Sequence, residues 1–118
     1  MEDVRFESGG ERCAAWLLRG EGDAFARAGR RPCVVMAAGF GGTRDSGLLP
    51  FAQAYAAAGL DVLVFDYRTF GDSTGEPRNL IHWGRHRDDY HAAIAFARGL
   101  AGVDDDRIVL WGTSYSGG

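Results

Sequence analysis

Arg107-Ile108-Val109-Leu110-Trp111-Gly112-Thr113-Ser114-Tyr115-Ser116-Gly117-Gly118 is the stretch on which the reading of the fold turns. Ile108 to Trp111 is a continuous apolar run, the pattern of a strand covered on both faces. Small residues follow at once, and only Gly112 and Thr113 separate the run from Ser114. A chain that turns this tightly out of a strand has no room for bulk two places before or two places after the serine. Gly112 and Ser116 occupy those places. This is the layout of a nucleophile elbow, which lifts the serine hydroxyl above the sheet edge and aims the next backbone N–H, that of Tyr115, at a developing oxyanion. Ser116 as nucleophile would force Tyr115 into the tight turn, so Ser114 is the preferred residue. The plain structural alternative is a serine- and glycine-rich turn without chemistry.

Upstream of this stretch the pattern alternates between strand and helix. Val4 to Ser8 and Arg12 to Leu18, separated by Gly9-Gly10, predict a hairpin. After a polar loop, Cys33 to Ala38 forms a second buried strand. Leu48, Phe51, Ala52, Tyr55 and Ala56 recur at helical spacing, with Gly59 as the stop signal. Leu60 to Phe65 is the next strand, and Tyr67 to Arg78 a polar loop. Tyr90, Ala93, Ile94 and Ala97 mark one stripe of a helix over roughly residues 85–100. Gly102 to Asp106, with its run Asp104-Asp105-Asp106, reads as a solvated turn. The order predicts an α/β fold: a mainly parallel sheet with flanking helices and an antiparallel N-terminal hairpin at one edge.

The loop after the first central strand, Gly39-Phe40-Gly41-Gly42, carries the second chemical signal. Glycines there let backbone N–H groups approach a reacting carbonyl, and the Phe40 N–H is the expected second oxyanion donor beside that of Tyr115. Gly39-x-Gly41 after a strand also suggests a dinucleotide fingerprint. The third glycine of that motif would fall on Arg44, which argues against it.

With 46% hydrophobic and 25% charged residues in 118, the chain has a globular composition. A net charge of −3 and scattered basic residues leave no footprint for nucleic acid. No apolar run approaches the ~20 residues of a membrane helix, and Met1-Glu2-Asp3 is not the start of a signal peptide. A cytoplasmic location is therefore expected. Cys13 and Cys33 lack metal-ligand spacing and read as buried free thiols.

Three blocks, Ala37 to Gly42, Phe65-Asp66-Tyr67-Arg68-Thr69-Phe70-Gly71-Asp72-Ser73 and Trp111 to Gly118, resemble in order and spacing those of the serine α/β-hydrolase superfamily. The nearest flavour is its bacterial serine aminopeptidase and lysophospholipase-like branch. Two positions depart from the pattern: Ala38 stands where many relatives have histidine, and Thr69 replaces the first glycine of D-x-R-G-x-G-x-S. The resemblance implies that residues 1–118 are a single partial domain, the N-terminal half of the fold, ending after the nucleophile elbow and silent by itself. It implies an ester or thioester hydrolase acting on a small acyl substrate through an acyl-serine intermediate, with no cofactor and no metal. A peptidase of the same fold, or a non-catalytic ligand-binding module, is the alternative. The family places its acid and histidine after the nucleophile, so His82, His86 and His91 are expected to be exposed polar residues. His82 and His86 lie four apart, but no third ligand is defined for a metal. Asp66, Arg68 and Asp72 are expected to brace loops.

Overall fold

The computed structural model describes residues 1–39 and 41–117. Five strands and two helices follow one another as β1 (Glu2–Ser8), β2 (Glu11–Leu18), β3 (Arg31–Ala37), α1 (Leu49–Ala57), β4 (Asp61–Phe65), α2 (Trp83–Arg98) and β5 (Val103–Gly112), and a single 3-10 turn spans Ser114–Gly117. The sheet order is β1-β2-β4-β3-β5. β3 pairs in parallel with β4 and β5, whereas β1–β2 and β2–β4 are antiparallel. The hairpin thus lies at one edge and β5 is outermost at the other.

Side chains alternate along β3, and this two-residue period divides the core. Cys33, Val35 and Ala37 face α2 and meet Ala93 and Ala97, together with Leu63 and Phe65 of β4. Val34, Met36 and Ala38 face α1 and meet Leu48, Ala52 and Ala56, together with Val62 and Val64. β4 and β5 lie on opposite sides of β3, and crossovers of one hand that leave in opposite directions must put their helices on opposite faces. The strand order therefore reverses between β3 and β5. In open α/β sheets, such a reversal opens a crevice at the carboxyl ends of the two strands.

Several boundaries differ from expectation, and those of α2 and β5 bear on the site. α2 starts at Trp83, where His82 caps it by accepting the Arg85 N–H on Nδ1 at 3.2 Å. It ends at Arg98, before the predicted stop. β5 begins at Val103, so the aspartate run lies within the strand and not in a turn. Arg31 pairs with Val103 but Cys33 already pairs with Ile108, so residues 104–107 bulge out of register. Asp104 holds the bulge by accepting from the Arg107 Nε at 2.7 Å and the Asp106 N–H at 3.0 Å. Cys13 and Cys33 are free and buried, and burial pushes each thiol up to about 12. Among the described residues, no helix is long and apolar enough to cross a membrane.

Candidate active site

β5 delivers Ser114 to the carboxyl edge of the sheet, beside the loop that leaves β3. The turn out of β5 is closed by the Ser116 N–H donating to the Thr113 carbonyl at 3.1 Å. Ser114 itself has φ +53°, a left-handed conformation that costs a non-glycine residue of order 1–3 kcal/mol and persists only when its surroundings enforce it. Gly112 leaves room for it. A Cβ there would collide with the Ser116 carbonyl and come 2.7 Å from the Gly117 nitrogen. Gly39 is packed from the other side: a Cβ on it would lie 3.3 Å from Ser114 Cβ and 3.9 Å from Ser114 Oγ. The backbone after β3 and the serine after β5 are therefore neighbours, with the serine exposed.

Of the expected site residues, Ser114, Tyr115, Gly39 and Gly112 converge at this edge, and Phe40 lies outside the described residues. Gly41 is exposed with φ +69°, and a Cβ on it meets no described atom within 4 Å. The positive φ is a backbone conformation that favours glycine.

The far end of that loop is pinned by charge. The Arg44 N–H donates to Asp66 Oδ1 at 2.6 Å, and its guanidinium pairs with Asp66 and, at 3.0 Å, with Asp72. Burial raises the Asp66 carboxyl above its ordinary value, with the hydrogen bond from the Arg44 N–H pulling the other way. Asp66 and Asp72 thus brace loops, as expected. Arg68 does the same one turn later, donating through its N–H and its Nε to the buried carboxylate of Asp89, both at 2.9 Å. Thr69 keeps the glycine-like conformation of the position it fills, with φ +70°. Its neighbours hold it there: Thr69 N–H donates to the Thr74 carbonyl and Asn79 N–H to the Thr69 carbonyl, each at 2.9 Å.

Ser116, at the fifth place of the elbow, is committed to structure. Its hydroxyl donates to the Ala38 carbonyl and lies 2.6 Å from the Tyr67 hydroxyl. A carbonyl only accepts, so the one Ser116 proton goes to Ala38, and Tyr67 must donate to Ser116. Burial pushes the Tyr67 phenol up to about 12, so that donor is present throughout the neutral range. The same hydroxyl therefore ties the elbow back to the end of β3 and is not free to react.

His86 contradicts the expectation of an exposed helix residue. It is 3% exposed, stacks on Tyr67 with ring centroids 4.1 Å apart, and its Nδ1 lies 2.9 Å from the Tyr115 hydroxyl. Burial lowers its pKa below the ordinary histidine value. His82 and His91 are exposed as expected, and His82 is spent on the α2 cap. Among the described residues no histidine forms a hydrogen bond with Ser114. Sequence reasoning missed His86 because its partner Tyr115 is 29 residues away, and only a three-dimensional fold brings the two together.

An open cavity of about 680 Å³ runs between α2 and β5, lined by Tyr67, His86, Tyr90, Trp111 and Tyr115 among others. It adjoins the elbow on the α2 face.

No family model matches the chain. Individual proteins do. The quorum-quenching protein AidA of Acinetobacter baumannii is 46% identical over 116 residues, 98% of this chain and 36% of that protein. The thiohydrolase aneE of Aspergillus aculeatus is 37% identical over 86 residues, 73% of this chain and 27% of its own. The crystal structure of the α/β-hydrolase GrgF from Penicillium superposes with a TM-score of 0.84 at 29% identity, over 94% of this chain and 36% of that one. This chain belongs to the α/β-hydrolase superfamily. It spans about a third of the length of the relatives it matches. As an α/β-hydrolase chain it has Gly39 and its strained serine at the two strand ends flanking the reversal of sheet order.

Proposed function

We propose that the protein carrying this chain is a serine hydrolase that cleaves an ester or thioester through an acyl-serine intermediate. The observation that carries this reading is Ser114: a non-glycine residue held at φ +53°, exposed at the sheet edge, with the Gly39 backbone packed against it. A strained, solvent-facing serine at a strand reversal has no packing purpose, whereas a nucleophile needs that exposure. In this reading Ser114 Oγ attacks the carbonyl carbon and its proton passes to a histidine supplied by the remainder of the longer fold. The Tyr115 and Phe40 N–H groups receive the oxyanion. Collapse expels the alcohol or thiol, and water then releases the acid. A thiohydrolase among the relatives supports the thioester arm. The buried, unpaired Cys13 and Cys33 accord with a reducing compartment, so the cytoplasm is the proposed location.

Steady-state hydrolysis of p-nitrophenyl acetate and of an acetyl thioester, by the full product of the coding sequence that contains these residues, tests the reading. Ser114→Ala is expected to abolish turnover of both, and Ser116→Ala to leave it reduced but measurable. Turnover that survives Ser114→Ala and vanishes in Ser116→Ala would move the nucleophile two residues on.

A further inference from the structure

The two residues that follow Ser114 are each held by a ring from outside the elbow, and those two rings are stacked on one another. Tyr67, in the loop two residues past β4, donates to Ser116 Oγ across 2.6 Å. His86, on the first turns of α2, reaches the Tyr115 hydroxyl across 2.9 Å. Their planes are 12° apart with centroids 4.1 Å apart, and Phe70 closes edge-on against His86 at 5.6 Å. Tyr115 in turn stands edge-on to both, at 6.2 Å from Tyr67 and 5.5 Å from His86. Neither ring has freedom to turn without opening this packing. Tyr67 is 5% and His86 3% exposed.

We propose that the stacked Tyr67–His86 pair is a clamp that positions the elbow, with His86 fixing Tyr115 and Tyr67 fixing Ser116. The inference rests on the hydrolase reading above, because its consequence falls on the Tyr115 N–H, the expected oxyanion donor. A tyrosine side chain has only two soft torsions, so anchoring its hydroxyl restrains its backbone. Ser114 cannot hold its left-handed φ by intrinsic preference, so the restraint must come from the residues that follow it. Gly112 and Gly39 only leave room for the turn. The clamp supplies attachments that select it.

Two details favour positioning over ordinary core packing. Each contact is a directed hydrogen bond to an elbow residue, where an apolar ring would serve packing better. His86 is also buried, and placing a polar imidazole there carries a desolvation cost that a phenylalanine would avoid. Burial keeps its imidazole below the ordinary histidine range, which leaves a neutral ring at Nδ1 to meet the Tyr115 hydroxyl.

Tyr67→Phe and Tyr115→Phe each delete one oxygen and leave the ring, so they test the clamp without opening the core. In the full-length enzyme, each is expected to lower kcat about 10- to 100-fold with KM nearly unchanged, the range for a catalytic group displaced by up to about 1 Å. His86→Leu should match Tyr115→Phe, the double variant should be no worse than either, and His86→Asn, which keeps a polar atom near the Nδ1 position, should recover part of the loss. Wild-type kcat in both phenylalanine variants, or losses that multiply in the double variant, would overturn the clamp. A wild-type enzyme with no Ser114-dependent turnover would overturn the hydrolase reading and the clamp with it. Ser114-dependent turnover indifferent to all these variants would overturn the clamp alone.

Discussion

Gly112 is where the demands of the site on a single residue are clearest. The Ser116 carbonyl occupies the volume a Cβ would need, and both groups are backbone, so neither can swing away. Gly112→Ala must therefore open the turn or shift β5, a clash of the overpacking kind that costs about 1–3 kcal/mol. The expected result is a lower urea midpoint with an unchanged m-value, accompanied by loss of Ser114 reactivity. An alanine variant with the parent's midpoint would mean that the elbow is looser than described. Ser116 shows the complementary case. It sits where the motif has glycine, and its hydroxyl has become a tie between Ala38 and Tyr67.

At the scale of elements, the buried strands were legible because β3 and β4 are covered on both faces and read as largely apolar runs. Asp61, the first residue of β4, lay inside the expected strand, but the partners that bury its carboxylate were not legible. It is 1% exposed and accepts the Gly20 N–H at 2.7 Å and the Arg19 guanidinium at 3.2 Å, partners some forty residues upstream. The β5 start was missed for a related reason: three consecutive aspartates look like a turn, and only the pairing of Val103 with Arg31 extends the strand past them. The site divides in the same way. Ser114, Gly112 and Gly39 carry local signals, whereas His86, Tyr67 and Asp89 owe their roles to contacts between distant segments.

Asp89 is the junction of those segments. Its carboxylate, 0% exposed, accepts from the Ser8 hydroxyl at 2.6 Å and from Arg68 twice, and so joins the β1–β2 hairpin, the loop after β4 and α2. Asp89→Asn keeps the shape but leaves the Arg68 guanidinium buried without its counter-charge, and breaking a buried pair from one side costs about 3–5 kcal/mol. Chemical denaturation should show a loss of this size. A loss below about 1 kcal/mol, the value of a surface pair, would mean that water reaches the junction.

Over the whole molecule, the reversal of strand order between β3 and β5 explains why the chemistry gathers at one edge. The Gly39 loop and Ser114 leave adjacent parallel strands at their carboxyl ends, and the helices that follow β3 and precede β5 cover opposite faces. In the proposed reading, the crevice between them is where a ligand would meet backbone N–H groups and the Ser114 hydroxyl together. β5 is outermost among the described strands and leaves Val109 and Leu110 47% and 59% exposed. On the proposed reading, this edge presents one activated serine. Incubating the full-length protein with a fluorophosphonate and mapping the adduct by peptide mass spectrometry tests it most directly, since activated serines are phosphonylated and surface serines are not. A single adduct on Ser114, absent in Ser114→Ala, is the expected result; an adduct on Ser116, or no adduct on a folded and soluble protein, would overturn the reading.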